Sequence, residues 1–262
     1  MTAEQLQHIR RRFLIYVDAY IARAGKMQPM MKLKREHCAF VAKNARELAE
    51  RNGWEPPALF AAEALGLLHD IGRFPQLEEY GTFRDECSIH HGLRGMQVIQ
   101  EEQILDGIDE PLQKSLLLAV RYHNDRELNR AILPEALPWL KLIRDADRLD
   151  IYRVIIKTLQ DGEVEKHPDV VLHLELNGPP SPRILKSISQ HEPPAYADLH
   201  SVSDFLLMIL SWTHQMEMLP AAHEIMFQRN IIENLTAFLP DRPEIKSFLA
   251  SLPTQNKEQK NG

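Results

Sequence analysis

Residues 58–71 constrain the fold more than any other segment, because Glu63 is their only charged side chain before Asp70. Two prolines precede the segment, and proline is tolerated in the first turn of a helix. A helix that is apolar nearly all round lies in the centre of a core rather than on its surface. The chain is therefore predicted to fold around this helix, with Gly72 ending it in the left-handed conformation.

The rest of the chain also follows a helical period, and no convincing run of alternating β-branched residues indicates a strand. The predicted fold class is all-α. Residues 73–86 are predicted to form a loop, and the proline-rich residues 177–194 a long connector. Ser88 is a natural N-cap for the helix that follows it. Further helices are predicted over residues 3–23, 32–51, 88–104, 110–122, 138–159, 202–219 and 221–238.

The 262 residues suit one large domain or a domain with a substantial extension. We predict a helical core with an N-terminal helix over residues 1–165. A connector and a helical extension packed on the core follow over residues 166–262, with a frayed polar tail from residue 255. No stretch approaches the roughly 18 apolar residues that span a bilayer, and the amino terminus lacks the apolar run of a signal peptide. A cytoplasmic protein without membrane contact is expected.

The formal net charge of −6 bears on the choice of partner. It argues against long nucleic acid, which proteins bind through basic surfaces, although it allows a local basic pocket. Cys38 and Cys87 are too few for a disulfide framework, and each is predicted to be a small buried residue rather than a ligand. Composition alone identifies no activity.

Several histidines and aspartates fall at positions where their helices face the core. A buried carboxylate is costly unless it is paired or bound to a cation. A divalent ion supplies that charge, and neutral imidazole nitrogens complete its shell. Such a set could hold two ions about 3.5–4 Å apart. The inward-facing residues are His37, His69, Asp70, His91, His123 and Asp147.

A plainer explanation exists for each of these residues alone. A single inward histidine is more often a hydrogen-bonded core residue than a ligand. An inward aspartate is more often paired with a cation, here Arg144 or Arg148. The adjacent His69 and Asp70, at the end of the most apolar helix, make coincidence across the whole set less attractive.

The order of these residues resembles a known signature. Residues 64–74, Ala-Leu-Gly-Leu-Leu-His-Asp-Ile-Gly-Arg-Phe, resemble the motif of the HD-domain superfamily of metal-dependent phosphohydrolases. His37 matches the first histidine of that family, and His69 and Asp70 match its doublet. Asp147, in Arg-Asp-Ala-Asp-Arg-Leu-Asp, matches its distal aspartate. The resemblance covers about residues 32–159 and implies an HD-type helical bundle.

The segments around His91 and His123 resemble the additional histidines of the dinuclear branches of this family. The resemblance implies a first metal on His37, His69, Asp70 and Asp147, and a second on Asp70, His91 and His123. The ions would be two divalent cations, Mn, Fe, Mg, Co or Ni. No match to a catalytic motif occurs beyond residue 170, and the Gly-Tyr-Pro element of the cyclic dinucleotide phosphodiesterases is absent from the sequence.

Other charged residues and histidines near this ligand set are candidates for further roles. Arg73 follows the doublet and is a candidate phosphate clamp, because a guanidinium can hold two oxygens at once; a surface arginine is an equally good explanation. His90 is an alternative ligand to His91. Asp145 and Asp150 are expected to face water or pair with arginines. The weaker phosphate candidates, explained as solvated faces, are Arg84, Arg94, Arg144 and Arg148.

The predicted function is hydrolysis of a nucleotide or another small phosphorylated metabolite at a metal centre. One alternative is a di-iron oxygenase, since some relatives with this ligand set activate dioxygen. Another is a signalling or binding module that keeps its metal for structure. Trp212 and the methionines of residues 202–238 suit a homodimer surface, a lid or, most simply, core packing.

Overall fold

The computed structural model describes residues 1–125 and 133–254. These residues are helical and contain no strand, so the all-α prediction is confirmed. The β structure among them is limited to an isolated parallel bridge between Glu175 and Ser201. None of the described helices combines the length and apolar character that crossing a membrane requires. The predicted frayed tail, residues 255–262, lies outside the described residues.

The chain divides into two compact units, Met1–Asp150 and Ile151–Gly262. The helices that begin in the first unit are α1 (Ala3–Arg23), α2 (Gln28–Arg51), α3 (Pro56–Leu68), α4 (Arg73–Tyr80), α5 (His91–Glu101), α6 (Glu110–Tyr122) and α7 (Leu137–Gln160), of which α7 continues past residue 150. The second unit also contains α8 (Pro182–Ser189), α9 (Val202–Ser211), α10 (Ala221–Gln228), α11 (Ile231–Thr236) and α12 (Pro243–Ser251).

The core of the first unit forms where α2 and α3 pack along each other. Helix α3 is buried on nearly every side, as its apolar composition predicts. The two helices approach most closely at Gly66, where a Cβ atom would lie 2.6 Å from Ala42 Cα and 2.7 Å from Val41 O. Helix α1 covers α2, α3 and α4 with a buried face that includes Phe13 and Val17.

Replacing Gly66 with alanine should destabilise the protein by up to about 2 kcal/mol, the cost of overpacking less the gain in helix propensity. Overpacking a core costs about 1–3 kcal/mol, and the atoms in the way are backbone atoms that cannot rotate aside. That cost outweighs the gain of about 1 kcal/mol in helix propensity. Chemical denaturation measures the change. Gly95→Ala in α5 is the matched control, because its Cβ would meet the Val120 Cγ1 methyl at 3.2 Å; equal stability of the G66A and wild-type proteins would contradict the packing argument.

Helix α4 occupies residues for which the sequence predicts a loop, and that prediction is wrong. Pro75 indicated a loop, but it lies in the first turn, where its missing N–H costs no intrahelical hydrogen bond. Phe74 and Leu77 give the helix a buried face. Gly81 then ends it in the left-handed conformation, with φ of 68°. The His69–Asp70 doublet is therefore followed by a helix rather than by a loop.

Gly72 does not adopt the left-handed conformation predicted for it, because its φ is −68°. The reason for a glycine here is close packing: a Cβ atom would lie 2.3 Å from His91 O and 2.5 Å from Gly95 N. Helix α5 begins at His91 and not at Ser88, whose hydroxyl donates to Arg84 O instead of capping the helix. The doublet at the end of α3 thus lies against the start of α5.

The second unit departs further from the prediction. The predicted connector contains α8, whose residues Ile184 and Ile188 are buried. The two predicted closing helices are wrong, since turns divide this part of the chain into α9, α10 and α11, with α12 beyond them. Helix α9 is buried all round. The methionines singled out in the sequence are also buried: Met208, Met216, Met218 and Met226.

Candidate metal centre

Four histidines converge on one aspartate from four parts of the first unit. His37 lies in α2, His69 directly follows α3, His91 is the first residue of α5, and His123 directly follows α6. All four are buried, and Asp70 between them is buried as well. Helices α2 and α5, and the ends of α3 and α6, therefore each place one imidazole at the same interior position.

Two of these rings have their orientation fixed by backbone carbonyls. His69 Nδ1 lies 2.8 Å from Gly66 O, and His123 Nδ1 lies 2.8 Å from Val120 O. A carbonyl oxygen only accepts hydrogen bonds, so each Nδ1 carries the proton and donates it. Each Nε2 keeps its lone pair, which is the form in which imidazole binds a metal ion.

The other two rings have carboxylate partners on the same nitrogen. His37 Nδ1 lies 2.7 Å from Asp150 Oδ2, and His91 Nδ1 lies 2.7 Å from Asp85 Oδ2. All four histidines thus use Nδ1 for an outer hydrogen bond and turn Nε2 towards Asp70. Metal-binding histidines are typically held in this way.

The carboxylate of Asp70 divides the cluster into two halves. Its Oδ2 lies 3.6 Å from His37 Nε2 and 3.7 Å from His69 Nε2. Its Oδ1 lies 3.4 Å from His91 Nε2 and 3.6 Å from His123 Nε2. One carboxylate therefore faces two pairs of imidazole nitrogens, one pair through each oxygen.

Asp147, in α7, adds a second carboxylate to one of these halves. Its Oδ1 lies 3.1 Å from His37 Nε2 and 3.7 Å from His69 Nε2. The first half of the cluster thus consists of His37, His69, Asp70 and Asp147, and the second half of Asp70, His91 and His123. All six residues predicted to bind metal are brought together, and groups of three have ligand atoms within 4.8 Å of one another.

The cluster has the electrostatics of a cation site. His91 Nε2 and His123 Nε2 lie 3.2 Å apart, and both carry lone pairs, so they repel each other unless a cation lies beside them. His69 Nε2 and Asp70 Oδ1 are buried without a hydrogen-bond partner among the described residues. Leaving buried acceptors unsatisfied costs about 1–3 kcal/mol each. A divalent cation in each half would satisfy these atoms, so the residues fit the metal centre.

Residues 35–152 match the family model of the HD domain. This segment is an HD domain. The predicted membership of the HD-domain superfamily is therefore confirmed, and all six residues of the cluster lie within the matched segment. The family binds divalent metals, with which the His/Asp cluster of this HD domain is compatible. Searches of curated proteins and of solved structures found no match for the chain.

The protonation states inside the HD domain differ between its histidines. Burial lowers the pKa of His69, and burial together with the charge of Arg73 lowers the pKa of His91 to about 3. Burial and the Lys34 charge act to lower the pKa of His37, but its contacts with two carboxylates raise it to about 8. Burial acts to raise the pKa of Asp70, but Lys34 and His69 hold it well below its ordinary value. At neutral pH, one proton must leave His37 before its Nε2 can bind metal.

Metal binding by the first half should therefore depend on pH. Because the pKa of His37 is about 8, its imidazole is protonated below that pH, and apparent metal affinity should fall about tenfold per pH unit from pH 8 downwards. Calorimetric titration in buffers of different ionisation enthalpy should detect about one proton released with the ion of the first half at about pH 7. Affinity that stays constant between about pH 6 and pH 8 would contradict this assignment.

Two cations flank Asp70. Lys34 Nζ donates to Asp70 Oδ2 at 2.7 Å. Arg73, the predicted phosphate clamp, places Nε 3.5 Å from Asp70 Oδ1, and this buried Nε has no hydrogen-bond partner among the described residues. Its Nη1 is already used, since it donates to Gln76, Phe83 O and Asp85. Arg73 therefore lies beside the cluster, but its Nη1 atom is already hydrogen-bonded to neighbouring residues.

The remaining candidates lie outside the cluster. His90 faces away from it: Nδ1 accepts from Leu93 N, and Nε2 lies 3.0 Å from Asp125 Oδ1. Asp145 lies near an arginine as expected, with Oδ1 3.3 Å from Arg148 Nη1. Asp145 offers no oxygen to the metal groups found among the described residues. The arginines contact other groups: Arg84 with Glu86, Arg94 with Glu101, and Arg144 with Asp125 O.

Sequence reasoning missed the residues that support the ligands. Asp150 does not face water, one of the two alternatives predicted for it, because it is fully buried and its Oδ2 lies 2.7 Å from His37 Nδ1. Its position three residues after Asp147, on the same helix face, was the available signal. Lys34 precedes His37 by one helical turn and could have been found in the same way. Asp85 and Gln76 fall in the segment predicted as a loop, where the sequence offered no register.

Proposed function

We propose that this chain is a metal-dependent phosphohydrolase acting on a nucleotide or another small phosphorylated metabolite, in the cytoplasm. The observation that carries the proposal is the position of Asp70, each of whose two oxygens faces a different pair of imidazole Nε2 atoms. Proteins of the HD-domain superfamily are mostly metal-dependent phosphohydrolases, which supports the same reading.

Each residue of the cluster has a part in this proposal. Asp70 would hold both ions, one through each carboxylate oxygen. Bound divalent cations supply Lewis acidity, which lowers the pKa of water and stabilises charge on phosphoryl oxygens. The histidines bind through Nε2 and stay in place because their Nδ1 atoms are hydrogen-bonded. Lys34 and the Arg73 guanidinium would supply positive charge beside Asp70 for the phosphate oxygens.

Solvent access supports catalysis over a purely structural metal. Structural sites are closed by protein ligands, whereas catalytic sites keep an open position. The side chain of Asp147 is 23% exposed and that of Lys34 is 22% exposed, while the side chains of the four histidines are nearly inaccessible. These two residues mark the side from which we expect a substrate to approach the cluster.

The charge of the chain supports a small substrate. The net charge of −6 does not favour the polyanionic backbone of long nucleic acid. Positive charge is instead local, on the two cations that flank Asp70. A compact phosphate group needs only such a local pocket.

Hydrolysis by metal-stripped protein resupplied with Mn, Mg, Co, Ni or Fe tests the proposal. The substrates are p-nitrophenyl phosphate, bis(p-nitrophenyl) phosphate and a panel of nucleotides. We expect phosphate release that depends on added metal. D70N purified in parallel controls for contaminating phosphatases, because it should be inactive under every condition.

Two outcomes would overturn the proposal in different directions. Two equivalents of iron with a visible absorption band and oxygen consumption, but no hydrolysis, would indicate a di-iron oxygenase. Tightly bound metal with no turnover across the panel would indicate a binding or signalling module.

A further inference from the structure

The loop between α4 and α5, residues 81–90, contains a carboxylate that contacts a residue of the metal centre. Asp85 Oδ2 and Oδ1 lie 2.7 Å and 2.8 Å from His91 Nδ1. The backbone N–H of His91 also donates to Asp85 Oδ2 at 3.3 Å. One carboxylate thus holds both the ring and the backbone of the first residue of α5.

Asp85 is itself fixed by donors from two other parts of the HD domain. From α4, Arg73 Nη1 and Gln76 Nε2 each donate to Asp85 Oδ1 at 2.9 Å. From beyond the end of α6, Asn124 Nδ2 donates to Oδ2 at 3.1 Å. Gln76 is fully buried and donates to Ile89 O at 3.0 Å as well, so it anchors the same loop at a second point. These contacts leave the carboxylate little freedom to rotate.

The consequence for His91 concerns its tautomer and its ring orientation. A carboxylate accepts, so the Nδ1–H form is favoured and Nε2 keeps its lone pair. That Nε2 lies 3.4 Å from Asp70 Oδ1 and 3.2 Å from His123 Nε2. Without Asp85, the His91 ring could rotate away from the His123 ring. It could also carry its proton on Nε2 and donate it to His123.

We propose that Asp85 is the positioning residue of the second half of the metal centre, setting the affinity of the cation held by Asp70, His91 and His123. The inference rests on the metal site of the proposed function. Among the described residues, the Asp85 carboxylate forms no hydrogen bond or ion pair with His37, His69 or Asp147. Its influence is therefore selective for one of two ions.

Metal titration of D85A and D85N tests this selectivity. Removal of an outer carboxylate that orients a ligating histidine typically weakens metal binding about 10–100-fold. We expect calorimetry with Mn²⁺ or Co²⁺ to give that loss for the second ion and an unchanged Kd for the first. D85N should lose less, because its amide oxygen can still accept from His91 Nδ1. General damage to the fold would weaken both ions.

The neighbouring pair of His90 and Asp125 provides a matched control. Asp125 has the same exposure as Asp85, 26% against 25%, and also contacts an imidazole, but that ring faces away from Asp70. D125N should bind both ions as the wild type does. A second readout without metal is the ¹⁵N spectrum of the His91 ring, which should show the Nδ1–H tautomer in the wild type and a mixture in D85A.

The outcomes separate this inference from the proposed function. Two ions bound with equal affinities by wild type, D85A and D85N would overturn the role of Asp85 alone. Selective loss of the second ion from a protein without hydrolytic activity would support Asp85 and overturn the phosphohydrolase. Wild-type protein that binds no ion would overturn both.

Discussion

Asp70→Asn should abolish metal binding in both halves of the cluster and reduce phosphate hydrolysis by more than about 10²-fold. The loss should exceed that typical of an outer-shell partner, because one carboxylate serves both ions. Asparagine keeps the shape of the side chain but removes the negative charge that attracts the cations. Elemental analysis after dialysis and the hydrolysis assay measure the two effects.

Asp145→Asn is the control for this change. Asp145 is as buried as Asp70 and lies in α7 next to the cluster, but its carboxylate faces Arg148 and belongs to none of the metal groups. D145N should retain its metal even if its stability falls. A D70N protein that still binds two ions, or hydrolyses phosphate esters at the wild-type rate, would show that Asp70 does not bridge the halves.

Single substitutions of the histidines should separate the two ions. His91→Ala and His123→Ala each remove one of only three ligands in the second half, so we expect one equivalent of metal to remain. His37→Ala should instead weaken the first ion and leave the second. Stoichiometry from metal titration gives the answer for each variant.

His90→Ala is the control for the histidine series. It removes the imidazole next to His91, and with it the cap of α5, but no ligand atom. The cost should be about 1 kcal/mol of stability with both ions retained. If H91A and H123A each keep two equivalents, the second half of the cluster binds no metal.

The position of the centre follows from the sequence because burial and helical register are local properties. The apolar composition of α3 requires that its end, with His69 and Asp70, lie inside the core. His37 and Asp147 share a face with apolar residues of their own helices, so the direction of each side chain follows from spacing alone.

The supporting contacts do not follow from the sequence, because they join distant segments. The bond between His91 and Asp85 depends on the path of a loop that α4 holds through Gln76. Pro75 does not by itself predict that helix, because proline occurs both where helices break and in the first turn of helices. A glycine is required at position 72 for a reason other than the predicted left-handed conformation: its constraint is contact with α5, which no local pattern reveals. Helix α8 was missed although Ile184 and Ile188 lie one helical turn apart, because the surrounding prolines indicated a connector.

The most direct test of the centre is the metal content of the protein, measured by mass spectrometry after purification without added metal and again after saturation with Mn²⁺ or Co²⁺ and removal of the excess. The arrangement around Asp70 predicts about two equivalents per chain at saturation. A protein that takes up no metal at saturation would contradict the assignment of these six residues as ligands.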